Sequence, residues 1–370
     1  MKSCTTKFLR PGQPRFSVLK TVALAGLFQA VNLSAQTAIT GITYGSLVDG
    51  ANQTQGGVDY LNRDRAVSTV AAGGLGNYQF TGPLASNVYF RRNTDSNGNG
   101  TQNQSSDNPN NSTLIYQVNG SGDAYGDYNS SLESVFLDGN LYTGLRNPFG
   151  NGAGTSTNSN IERIDFHFSG GYKVQADDAL VFFDVENIGN FGDGFRIAAY
   201  TGVGTVNGFS NAPTTYANTG LLVAPDSFGG PVSNPEGGSS ATYYRSTFTN
   251  GNTLSGTASD TTSTGTLQLV GILIRFADLG ISAGTTIYGY SLMAGDVAPA
   301  SAANLVNWNN ATYYPTNTDP AGYGNMDFMG FGAQISRPVP EPSTYGVCFL
   351  GLAASLLGFR RRLGQRRAAT

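Results

Sequence analysis

Between Gln36 and Pro338 no long stretch repeats with the 3.6-residue period of an amphipathic helix. The segment consists of short runs rich in β-branched and aromatic residues, broken by clusters of Gly, Asn and Asp. With 50 glycines in the chain, such breaks recur too often for long helices to form. A chain patterned this way folds as an all-β sandwich or barrel. We read residues 36–338 as a sandwich or jelly-roll-like body, either whole or with 36–160 and 161–338 as subregions.

The clearest predicted strands are 161–168, 179–185, 194–201, 241–248, 266–276, 285–294 and 327–335. The run from Thr266 to Phe276 is almost continuously apolar, which predicts a central strand buried on both faces. Alternation in 161–168 is broken, because Ile161 is followed by Ile164, Phe166 and Phe168. Residues 87–92, 113–118 and 133–137 are predicted as further strands, and 300–308 as a short helix. The polar stretches 93–112 and 150–160 read as loops.

The two ends differ from the body. Lys2, Lys7, Arg10, Arg15 and Lys20 precede any acidic residue, and the apolar run Thr21–Val31 follows them. That run is shorter than the about 20 residues needed to cross a bilayer. It suits the core of a signal peptide, with cleavage expected after Ala35. At the other end, Val339-Pro340-Glu341-Pro342 is followed by an apolar stretch, Tyr345–Phe359, and then by Arg360, Arg361, Arg362, Arg366 and Arg367. This reads as a C-terminal transmembrane helix whose arginines stay cytoplasmic.

Residues 1–35 and 343–370 carry ten of the 21 basic residues and none of the 24 acidic ones. Residues 36–342 therefore keep 11 basic against 24 acidic residues, a net charge of −13, with Lys173 as the only lysine. Such a body does not bind nucleic acid, which requires clustered Lys and Arg. Cys4 and Cys348 both lie in the end segments. A disulfide framework, a thiol nucleophile and a Cys-ligated zinc are thereby excluded from the body.

The C-terminal segment resembles the PEP-CTERM sorting signal of Gram-negative bacteria. The resemblance rests on Pro340-Glu341-Pro342, the apolar stretch and the arginine cluster, in that order and at the chain end. It implies export through the Sec translocon, transient anchoring in the inner membrane, and processing by an exosortase near the Pro-Glu-Pro. The flanking prolines suit a protease cleft, because each disfavours helix in the residue before it. Shorter segments of the body (184–189, 194–199 and 285–292, the last followed by 295–297 and 304–308) are similar to β-domains of other exported proteins with this tail, which implies fold and setting but no activity.

Few side chains in the body suggest chemistry. His167 is the only histidine, so any Ser-His-Asp triad would have to use it. It alternates with Phe166 and Phe168 and is read as structural. Asp184 and Glu186 share a strand face, with Asp193 in the next turn. They read as a strand end in water, with a cleft-lining or calcium-ligating role as the alternatives. Asp95, Asn97 and Asn99 match the start of a calcium loop, Asp-x-Asn-x-Asn-Gly, but Ser106 stands where the twelfth-position Glu belongs. Calcium is thus the one candidate cofactor. Tyr243-Tyr244 and Tyr313-Tyr314 would each place one ring on either face of a strand.

These readings describe a non-catalytic protein of the cell surface, outer envelope or exopolysaccharide matrix of a biofilm, with a structural or adhesive body. The alternatives are a secreted carbohydrate-active enzyme built on a carboxylate pair, and a glycan- or calcium-binding adhesion module.

Overall fold

The computed structural model describes residues 36–340, apart from 56–57, 62, 93–112, 120, 122, 126–130, 151–160, 237, 248–265, 316–317 and 319–325. The described residues are almost entirely β. In the N-terminal part lie β1 (Thr37–Tyr44), β2 (Val48–Asp49), β3 (Gln53–Gln55), β4 (Val58–Tyr60), β5 (Arg63–Asp64), β6 (Val67–Ala72), β7 (Gly76–Gln79), β8 (Asn87–Arg92), β9 (Thr113–Val118) and β10 (Thr143–Arg146). There follow β11 (Ile161–Lys173), β12 (Ala179–Asn187), β13 (Phe195–Val206), β14 (Phe209–Tyr216) and β15 (Leu221–Val223). The remaining strands are β16 (Ala241–Thr247), β17 (Thr266–Arg275), β18 (Thr286–Ala294), β19 (Asp327–Met329) and β20 (Arg337–Pro338).

One large sheet runs β12-β19-β10-β9-β16-β17-β1-β6-β7-β20, and because β12 also pairs with β17 its first six strands close on themselves. A second sheet runs β14-β13-β18-β11-β8, with β15 also on β13. Strands from before and after residue 160 lie side by side in both sheets, as β8 on β11 and β9 on β16 show. Among the described residues no helix is long and apolar enough to cross a membrane. The expected signal segment and the apolar stretch 345–359 lie outside the described residues.

Aromatic rings join the sheets. Phe182 of β12 packs 6.1 Å from Tyr290 of β18 and 5.5 Å from Phe195 of β13, and Phe195 packs 5.6 Å from Phe328 of β19. The apolar run of β17 is buried on both faces, as its composition predicts. Val270, Ile272 and Ile274 face the inter-sheet core, while Leu267, Leu269 and Leu273 join a second core with Ile39, Phe183 and Phe331. Burying both faces removes far more apolar area from water than a half-exposed strand does.

The broken alternation of β11 has a local cause. Ile161 is opposite Arg92 and Arg163 is opposite Arg91, so Glu162 is an extra residue in a β-bulge. The bulge returns Ile161 and Ile164 to one side and leaves both fully buried.

Two expected strands are corrected. Residues 133–137 form part of a short α-helix, α1 (Leu132–Leu137), rather than a strand. The Ser131 side chain accepts a hydrogen bond from the Ser134 backbone N–H, Glu133 sits in the first turn, and Leu132, Val135 and Phe136 are buried at helical spacing. The strand expected over 327–335 ends at Met329. Gly330 N–H turns back to the Thr143 carbonyl, and Gly332 adopts a φ of 112° against the Phe182 ring. The helix expected over 300–308 is a single 3₁₀ turn, Ala302–Leu305.

Candidate functional site

Three polar assemblies stand out from the otherwise apolar interior of the two sheets. The first is at the far end of β12. Asp184 and Glu186 follow Phe182 on the inter-sheet side, and the turn into β13 brings Asp193 back to them. One oxygen from each carboxylate lies within 4.8 Å of the others. Asp184 is fully buried and Glu186 nearly so. The expectation of a strand end in water is therefore wrong for these two, because β13 and β19 cover that end of β12.

Asp184 accepts backbone N–H hydrogen bonds from Val185 (2.8 Å), Asp193 (2.9 Å) and Asp327 (2.8 Å). It thus ties β12 to the start of β13 and to β19. Glu186 accepts from the Asn187 N–H at 3.1 Å. Asp327 is a fourth carboxylate at this end, with Arg146 Nε 3.9 Å away.

Burial, and then the neighbouring Glu186 charge, pushes Asp184 up to about 7. Burial, the Asp184 charge and a hydrogen bond to Glu186 push Asp193 up to about 10. Burial also raises Asp327 well above the ordinary carboxylate range, against the pull of Arg146. Carboxylates crowded out of water keep protons or take a hard cation bound through oxygen.

Because these carboxyls hold protons in the folded state at pH values where the unfolded chain has lost them, they favour folding most at and below the ordinary carboxylate range. That contribution is lost as pH rises from there, through about 7 for Asp184 and about 10 for Asp193. In chelator-treated protein the urea midpoint is expected to fall between pH 5 and pH 9, by up to about 1.4 kcal/mol per pH unit for each proton released. The Asp193→Asn variant should flatten this decline. An unchanged slope in that variant would remove Asp193 from the account.

The second assembly lies on the outer face of β11. Asp165 accepts from Arg163 Nε (2.7 Å) and Nη2 (3.1 Å), Arg91 Nε (2.9 Å) and Ser291 Oγ (2.7 Å). Arg163 Nη1 also donates to the Leu305 carbonyl at 2.6 Å. The Trp308 ring lies 4.7 Å from the Arg163 guanidinium and 5.4 Å from that of Arg91. Trp308 is itself fully buried, with Nε1 donating to the Arg92 carbonyl at 3.0 Å. Burial opposes the Asp165 charge, but the two guanidiniums overcome it and hold its carboxyl below the ordinary range.

His167, next but one along β11, is 7% exposed. Its ring lies 6.2 Å from that of Tyr89. Burial lowers its pKa, against the raising influence of Asp165 and of a hydrogen bond to the Tyr288 backbone. This setting matches its reading as a structural residue. Tyr243 and Tyr314 are buried and Tyr313 is partly exposed.

The third assembly is where the chain leaves the body. Arg337 Nε donates to Asp178 Oδ1 (3.0 Å), and its Nη2 donates to the Tyr172 hydroxyl (2.7 Å), which in turn donates to Asp178. Pro338 pairs with Tyr78 across β20 and β7. The Val339 N–H donates to the Asn77 carbonyl at 2.7 Å. Residues 338–362 match the family model for the PEP-CTERM protein-sorting motif.

The chain is a PEP-CTERM protein.

PEP-CTERM proteins are sorted by exosortase, so export and cell-surface targeting follow for this chain. No curated protein and no solved structure matches the chain. Of the sorting motif, Val339 and Pro340 are described, and their place is directly against the last strand. Glu341, Pro342, Arg360, Arg361, Arg362, Arg366 and Arg367 lie outside the described residues, as do Asp95, Asn97 and Asn99 of the candidate calcium loop.

Sequence reading missed the Arg337 clamp and the Arg91–Asp165–Arg163 network. The i, i+2 spacing of Arg163, Asp165 and His167 was a signal for one shared polar face, but not for its burial. Nothing local marks Asp327 as a neighbour of Asp184, 143 residues away.

Proposed function

We propose that the body is a non-catalytic structural or adhesive module, exported through the Sec translocon after loss of a signal peptide ending near Ala35. In this reading the stretch Tyr345–Phe359 anchors it transiently in the inner membrane, with Arg360–Arg362, Arg366 and Arg367 on the cytoplasmic side. Exosortase processing then leaves it at the cell surface or in the exopolysaccharide matrix. The observation that carries this is the sorting motif running straight out of the last strand of an all-β body.

The side chains support a non-catalytic role. The strongest polar constellations are sealed in the fold, as Asp165 and Asp184 illustrate. Trp308 is inside and offers no stacking platform.

The test uses the full chain in a host with a matching exosortase and in the same strain lacking it, followed by intact mass and cell fractionation. The expected result is loss of everything after about Pro342 only when the enzyme is present. A tail intact in both strains would leave a simple membrane-anchored β protein. The body's role is tested separately by incubating the processed protein with exopolysaccharide. Retention without release of reducing ends is expected, and steady release would favour the carbohydrate-active alternative.

A further inference from the structure

We propose that the end of the sandwich formed by β7, β20 and the turns 175–178 and 276–285 is a membrane-facing surface, held against the headgroups of an anionic bilayer while the tail is anchored. This rests on the anchoring of 345–359 proposed above.

Val339 is hydrogen-bonded into the body, and the apolar stretch begins at Tyr345, six residues on. Six residues span at most about 20 Å, whatever their conformation. The polar layer on each side of the hydrocarbon takes up about 5–8 Å of that. β12 starts at this end of the body and, with nine residues, carries the chain about 30 Å away to the carboxylate cluster. The short tether therefore keeps one end of the body close to the bilayer and leaves the other free to point away.

Charge favours the same orientation. Among the described residues, the charged groups around the exit are Lys173, Arg275 and Arg337 against Asp177, Asp178 and Asp278. They balance, and they include the body's only lysine. Setting Glu341 aside, the rest of 36–342 holds eight basic and 20 acidic residues. An anionic surface repels that remainder and tolerates the exit end. Glu341 lies in the tether itself.

The full chain, purified from cells lacking exosortase and carrying Cys4→Ser and Cys348→Ser, is labelled with a fluorophore at Ser282→Cys or, at the opposite end, at Ile188→Cys. Both native side chains are exposed. Each protein is reconstituted into phosphatidylethanolamine/phosphatidylglycerol vesicles containing a headgroup nitroxide lipid. Quenching is expected to be several-fold greater at 282 than at 188. A long Gly/Ser spacer inserted after Val339 should erase the difference. Equal quenching at both sites in protein that floats with the vesicles, or a difference that survives the spacer, overturns the proposal alone. Protein that does not float with the vesicles overturns the anchoring reading, and this proposal with it.

Discussion

Asp165→Asn is expected to destabilise the body by about 3–5 kcal/mol, since it leaves buried guanidinium charge without its counter-ion. The substitution preserves shape and removes only the charge. In its place stand two guanidiniums that water reaches poorly: Arg163 is fully buried and Arg91 is 5% exposed. A loss of that size is a large share of the about 5–15 kcal/mol that typically stabilises a domain. The check is the urea midpoint of the two proteins. Charge, not packing, is the claim, so adding Arg91→Met to Asp165→Asn should recover part of the loss. A double variant no more stable than the single one would refute the electrostatic account. The wild-type network also has a pH signature opposite to that of the Asp184 cluster. The Asp165 carboxyl titrates below the ordinary range, so its contribution is intact at neutral pH and is lost as pH falls through its folded-state value.

Gly289→Ala is expected to cost about 3 kcal/mol or more, through a different mechanism. The Tyr200 hydroxyl donates to the Phe166 carbonyl at 2.8 Å, across the space where residue 289 has no side chain. A Cβ at 289 would collide with both that carbonyl oxygen and the hydroxyl. Either β18 moves away from β11 or the tyrosine leaves, so overpacking of about 1–3 kcal/mol adds to about 1–3 kcal/mol for a buried polar group without its partner. Gly74→Ala provides the comparison. Gly74 has a φ of 76° with no atom near the added Cβ, and should lose only the about 1–2 kcal/mol of placing a Cβ in the left-handed region. Equal losses at the two positions would show that close approach at Gly289 is unimportant. A Tyr200→Phe variant should make Gly289→Ala milder by removing one of the two obstructing atoms.

Much of the β structure was legible because its cause is local. β12, β16, β17 and β18 are dense in β-branched and aromatic residues and flanked by turn formers, and each lies within about two residues of its expected bounds. The errors arose where a short apolar run carried too little pattern to distinguish period two from period 3.6. In 133–137, Ser131 was the deciding residue, because its cap satisfies a backbone N–H that a strand would have paired with a neighbour. In 330–335, the positive φ of Gly332 and the turn at Gly330 end the strand despite its apolar content.

The candidate sites divide in the same way. The sorting segment was fully legible, since a Pro-Glu-Pro, an apolar stretch and a basic end act as a linear signal read without the fold. The carboxylates of β12 were found as residues but misplaced in environment.

Taken alone, the sequence determined that this chain is exported, that its body is built of strands, and that the body lacks the cysteines and clustered basic residues of several other protein classes. These properties reside in composition, alternation and order along the chain. Tertiary structure alone decided which polar residues leave water. The β11 bulge and the packing of 301–314 over Arg163 bury a face that alternation assigns to solvent. The meeting of Asp184 with Asp327, and of Val339 with Asn77, depends on which strands become neighbours. Strand order is set by the burial of whole faces over long separations, and no local run of residues encodes it.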